Sequence, residues 1–147
     1  MTSQHSDRTI VTARVIKHPR AAVWNAFANA KRLANWWGPT GFTSVIKTFD
    51  FRPGGSWSLT MTGPDGTKYE NAMTFDEVRA PERIVYMYVD PVHEFRMEIT
   101  LEEQGANTLL AWRMTFAHQE EFDRVKPFVV PANEQNFDKL EHHLRTL

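Results

Sequence analysis

The sequence predicts an α+β fold in which a twisted antiparallel sheet of about seven strands packs against one long C-terminal helix. From Phe42 to Phe116 aromatic and β-branched residues alternate with polar ones in successive short runs, the period of half-buried strands. The runs are joined by Pro53-Gly54-Gly55, Gly63-Pro64-Asp65-Gly66, Ala80-Pro81-Glu82, Asp90-Pro91 and Gln104-Gly105-Ala106-Asn107, and connections this short force antiparallel neighbours. Near the end, Phe137, Leu140, Leu144 and Leu147 recur at helical spacing, a seam that needs a sheet to lie on.

Taken in order, Thr9 to Lys17 alternates and reads as a first strand, preceded by a loose polar tail over residues 1–8. His18-Pro19 ends it, because proline disfavours helix in the residue before it and suits the opening of a helix from about Arg20. Ala21, Val23, Trp24, Ala26 and Phe27 give that helix its apolar stripe. A second short helix from Asn29 to Trp37 is stopped by Gly38-Pro39. The strands that follow are predicted over Phe42 to Phe51, Ser56 to Thr62, Thr67 to Val78, Arg83 to Val89, His93 to Glu103 and Asn107 to Phe116. Pro127 and Pro131 predict a broken C-terminal region, with one piece from about Gln119 and a longer helix from near Pro131 to Arg145. A single domain over residues 9–147 accounts for all of these elements.

Composition narrows the function. Seventeen Lys plus Arg against eighteen Asp plus Glu leave a formal charge of −1, so no long-range field draws in nucleic acid or an anionic membrane. The absence of cysteine excludes disulfides, thiolate nucleophiles and cysteine-ligated metals, and suits a reducing cytoplasm. The first ten residues lack an apolar core, and no apolar run approaches the roughly 20 residues that span a bilayer. These features predict a soluble, unprocessed, cytoplasmic protein.

The order of elements resembles a known superfamily. One strand, two helices ending in Trp36-Trp37-Gly38-Pro39, then Asp50-Phe51-Arg52-Pro53-Gly54-Gly55, Gly63-Pro64-Asp65-Gly66, Pro81-Glu82-Arg83-Ile84-Val85-Tyr86 and a last helix with Asn133-Glu134-Gln135-Asn136-Phe137 resemble the START and polyketide-cyclase-like (SRPBCC) proteins. Within them the chain is similar to the bacterial branch related to the activator of the heat-shock protein 90 ATPase. The resemblance implies the helix-grip fold (START-like, Bet v 1-like), a curved seven-stranded antiparallel sheet around a long C-terminal helix, with two short helices after the first strand. It also implies a cavity for lipids, polyketides, hormones or other hydrophobic molecules, in some members with cyclase or hydrolase activity. The fold alone does not choose among these, and the chaperone-activator role does not transfer, because nothing in the sequence maps its contact surface.

Parity along the strands nominates the wall of such a cavity. His93, Phe95, Met97, Ile99 and Leu101 share one face, Leu110, Trp112, Met114 and Phe116 another, with His118 continuing it, and Tyr69, Asn71, Met73 and Phe75 a third. Phe75, Phe95, Met97, Trp112, Met114 and Phe137 are the expected walls, and Tyr69, Asn71, His93, Asn133 and Asn136 the expected polar contacts. The amides serve equally well as buried caps of a helix or turn. Trp36 and Trp37 divide between the mouth of the cavity and the core.

Catalytic signals are sparse. His142 and His143 are adjacent on a helix and diverge by about 100°, so they cannot hold one metal together. His93 and His118 are the candidate acid–base residues, but no carboxylate shares their parity. Ser56 in Gly55-Ser56-Trp57 lacks the strand-to-helix elbow of a nucleophile, and Gly54-Gly55 leads into a strand rather than the helix a phosphate loop requires. The leading expectation is a binding protein for a small hydrophobic or aromatic molecule, without cofactor or metal. The alternatives are a cyclase- or hydrolase-like enzyme on a polyketide-type or aromatic substrate, and an interaction module that contacts a chaperone or forms a homodimer.

Overall fold

The computed structural model describes residues 8–89 and 94–147. The elements run β1 (Thr9–Ile16), α1 (Arg20–Ala28), α2 (Ala30–Trp36), β2 (Thr43–Phe49), β3 (Ser56–Thr62), β4 (Lys68–Arg79), β5 (Arg83–Val89), β6 (Glu94–Gln104), β7 (Asn107–Phe116) and α3 (Gln119–Arg145). All seven strands form one sheet in the order β1-β7-β6-β5-β4-β3-β2, and every neighbouring pair is antiparallel. Strands β1 and β2, adjacent in sequence, therefore lie at opposite edges. The two short helices are the span between those edges, which explains why helices interrupt an otherwise all-strand series.

The sheet departs from a regular ladder where its register shifts, between Ile46 and Thr48 on β2 and between Phe75 and Glu77 on β4. Bulges of this kind bend a strand and increase its twist. The Arg52–Gly55 turn sharpens the bend, because Gly54 N–H donates to Phe75 O (2.7 Å) and Gly55 O accepts from Phe75 N–H (2.9 Å). A Cβ on Gly55 would stand 1.9 Å from Asp50 O, so only glycine lets the chain pass there.

Helix α3 crosses the concave face and packs on β1, β7, α1 and α2. It is continuous, contrary to the expected break at the prolines. Pro127 and Pro131 lie one turn apart, and they remove the donors for Asp123 O and Pro127 O. Asp123 and both prolines are exposed, so water can take the place of the missing N–H groups.

Along the seam Asn133, Asn136, Phe137, Leu140, His143 and Leu144 are buried, while Leu147, expected to extend the stripe, is exposed beyond the helix end. The carboxyl half of the helix is fastened by polar contacts. Arg14 of β1 holds Glu134, Asp138 and Glu141, each at 2.7 Å, and its guanidinium lies 5.5 Å from the Phe137 ring centroid. On the opposite flank Asn136 Nδ2 donates to Trp36 O (2.7 Å) and its Oδ1 accepts from Gly38 N–H (3.2 Å). Gly38 has φ +110, and a Cβ there would meet Met61 Cε at 2.8 Å. Lys139 Nζ donates to Phe42 O (3.0 Å), completing the link to the α2–β2 connection.

Candidate functional site

The clamp leaves space between the amino half of α3 and the inner face of β3 to β7. An open cavity of about 780 Å³ lies there, walled by Phe42, Met61, Tyr88, Phe95, Met114 and Phe116 from the sheet side and by Glu121, Val125 and Val129 from α3. Tyr69, Lys68, Glu70 and Asn71 complete it from the β3–β4 hairpin. Tyr88 and Phe95 stack with centroids 5.1 Å apart, and Phe95 meets Phe116 at 5.4 Å, a continuous aromatic wall. Met61, Asn71, Tyr88, Phe95 and Met114 also face a deeper chamber of about 150 Å³, closed by Trp37, Tyr86, Met97, Trp112, Asn133 and Asn136.

Most of the polar groups around this space are already committed. Glu70 pairs with Lys47 (2.5 Å) and accepts from Thr60, and these bonds, Lys47 first, hold its carboxyl below the usual carboxylate range. Glu121 is buried and accepts the Glu94 N–H at 3.2 Å, tying the start of α3 to β6. Asn133 Nδ2 donates to Thr12 Oγ1 (3.1 Å) and approaches Met114 Sδ (3.6 Å). Burial pushes the Tyr86 phenol far above its ordinary value, so it keeps its proton.

The structure brings together Trp37, Tyr69, Asn71, Phe95, Met97, Trp112, Met114, Asn133 and Asn136 around the cavity and its chamber. Other expected members stand elsewhere. Phe75 is in the dry core, stacked on Trp57 at 5.9 Å and edge-on to Phe49 and Phe51, because its depth on β4 carries it past the chamber. Trp36 is fully buried under α1, with its Nε1–H donated to Ala26 O, and takes no part in the mouth. Phe137 is enclosed between Arg14 and Trp112.

Of the two candidate histidines only His118 is among the described residues. His118 lies outside the cavity wall, 68% exposed and 3.4 Å from Glu94, because the chain turns into α3 immediately after β7 and ends the strand parity there. His93 lies outside the described residues. Among the described residues no cluster of three or more His, Asp or Glu could hold a metal ion.

Phe116, inward by strand parity, does line the cavity, whereas the strand pattern did not nominate Phe42, Met61, Tyr88, Glu121, Val125 or Val129. Tyr88 was detectable from its alternation with Ile84 and Tyr86 on β5. Val125 and Val129 are an i,i+4 pair hidden by the assumption of a broken helix. Phe42, expected to open the second strand, instead precedes β2 in the α2–β2 connection, which turns its ring to the cavity.

A curved sheet gripping a long helix with a cavity between them defines a helix-grip protein of the START-like class, a fold of ligand-binding type. Within that class the chain belongs to the activator of Hsp90 ATPase homolog 1-like family, whose model matches residues 17–145. Similar solved structures include a protein from Nitrosomonas europaea (19% identity, TM-score 0.87, 99% of each chain covered). Another, from Arthrobacter aurescens, has 20% identity and a TM-score of 0.89 over 99% of this chain and 91% of that one. An AHSA1-like protein from Aeromonas hydrophila has 17% identity and a TM-score of 0.73, covering 94% and 92%. At these identities the likeness establishes the fold. No curated protein matches the sequence. Among the described residues no helix is long and apolar enough to cross a membrane.

Proposed function

We propose that the protein binds a small, largely hydrophobic or aromatic molecule between the sheet and the amino half of α3. The observation that carries this reading is the cavity of about 780 Å³ leading into a chamber of about 150 Å³, both lined chiefly by aromatic and aliphatic side chains. Ligand sites are typically clefts of about 300–1,000 Å³ with a few placed polar groups, and the outer cavity falls within that range. Binding rather than catalysis is the reading favoured, because the one described candidate acid–base residue, His118, faces solvent on the outside of the wall.

The neutral fluorescent probe N-phenyl-1-naphthylamine tests this directly. Saturable binding should raise Tm with probe concentration by mass action. Val125→Trp, which fills the outer cavity from α3, should abolish both effects. A probe response that survives Val125→Trp unchanged would place binding elsewhere and contradict the proposal.

A further inference from the structure

The inner chamber differs chemically from the cavity in front of it. No charged side chain lines it, and its amide nitrogens are engaged, Asn71 Nδ2 with Tyr69 O (3.1 Å), Asn133 Nδ2 with Thr12 Oγ1 and Asn136 Nδ2 with Trp36 O. The Trp112 indole N–H is buried without a partner. The Trp112 ring packs against Phe137, with centroids 4.7 Å apart, and that neighbour offers no oxygen acceptor. Native proteins pair the great majority of such buried donors, so an orphan in a cavity wall calls for an explanation.

Trp57 Nε1 is also unpartnered, but its ring is packed among Trp37, Phe49, Phe75 and Tyr86 beside a void of only about 10 Å³. No ligand atom fits there. Trp112 instead forms part of a wall with space before it, and Tyr86, held protonated by its burial, forms another part. Both rings pack on Trp37, with centroids 5.3 Å and 6.4 Å from it, so the two donor-bearing side chains flank one residue of the chamber.

We propose that this chamber is the head-group subsite of the cavity and takes an uncharged oxygen acceptor, a carbonyl or ether, received by the Trp112 N–H and the Tyr86 O–H. The apolar body of the same molecule fills the outer cavity against Tyr88, Phe95 and Phe116. A carboxylate head is disfavoured, since it would be desolvated with no cationic side chain on the chamber wall. This inference rests on the ligand-binding reading above.

The test uses three matched tricyclic probes, fluorene, fluorenone and fluorene-9-carboxylate, titrated calorimetrically against the full chain. Fluorenone should bind about tenfold tighter than fluorene, the gain expected for satisfying a buried donor, and the carboxylate weakest of the three. Trp112→Phe and Tyr86→Phe should each lower the fluorenone-to-fluorene affinity ratio, a comparison in which any loss of packing common to both probes cancels. Tyr86→Phe removes a single oxygen and keeps the test open if Trp112→Phe fails to fold. Equal affinity for fluorene and fluorenone, or a wild-type ratio retained by both variants, overturns the subsite while leaving hydrophobic binding intact. Failure of all three probes to bind overturns the ligand-binding reading itself and this inference with it.

Discussion

Arg14 shows how one residue can decide the placement of an element. Its half-buried guanidinium reaches three carboxylates on α3, and although burial alone would make it easier to deprotonate, the hydrogen bonds to Glu134, Asp138 and Glu141 outweigh that and hold it charged. Arg14→Ala removes these bonds and leaves three acidic groups facing one another. The expected loss is about 1–3 kcal/mol in denaturant unfolding, reduced in high salt because the carboxylates are partly exposed and screened.

His143 makes a second prediction at this scale. Burial first, then the charges of Arg32 and His142, lower its imidazole from the ordinary 6.5, and its Nε2 has no partner. A base depressed in the folded state binds fewer protons there than in the unfolded chain, so acidification below about 6.5 favours unfolding. Above that value both states are neutral and the contribution vanishes. Between pH 6.5 and 5 the wild type should therefore lose stability more steeply than His143→Phe, as read by denaturant titrations at each pH. Equal slopes would show that His143 gains its proton without cost in the fold.

At the scale of the element, the two halves of α3 are held differently. Asn133, Glu134, Gln135, Asn136, Asp138, Lys139 and Glu141 all bond to β1 or to the α2–β2 connection. The amino half is held chiefly by Glu121 on the Glu94 N–H, Phe122 against Phe116 and the His118–Glu94 pair. The prolines at the junction remove two helical hydrogen bonds as well. Hydrogen exchange should accordingly be faster for the amides of residues 120–130 than for those of 133–144. Pro131→Ala restores the donor to Pro127 O, and about 1–2 kcal/mol of added stability is expected after part of the helical gain is offset by a freer unfolded chain.

The same helix marks where sequence reasoning stopped. Proline is a local signal against helix, and at Pro127 and Pro131 it predicts a break that the continuous α3 does not show. It could not register that both face solvent, where water replaces the lost donors. The antiparallel succession from β2 to β7, by contrast, was legible because turns such as Pro53-Gly54-Gly55, Gly63-Pro64-Asp65-Gly66 and Gln104-Gly105 leave room for antiparallel neighbours only, whereas no local signal places β1 beside β7.

Across the whole molecule, strand parity could identify inward residues but not separate cavity from core. Phe75 and Phe95 both face inward, yet Phe75 is locked in rings and Phe95 walls the cavity. The difference is depth along a sheet whose curvature follows from the register shifts near Thr48 and Glu77, and composition carries no trace of depth. Nor does any local pattern announce a gap, because apolar residues line a cavity and fill a core alike.

The central claim is that the space between the sheet and the amino half of α3 holds a hydrophobic molecule. The most direct measurement is amide and methyl chemical-shift mapping of the full chain during titration with N-phenyl-1-naphthylamine. The account predicts saturating shifts at Met61, Tyr88, Phe95, Met114, Val125 and Val129, with Val45 on the edge strand and Glu102 on the outer face unmoved. Shifts confined to exposed residues such as Val11, Val45 and Phe128, with the cavity wall silent, would contradict it.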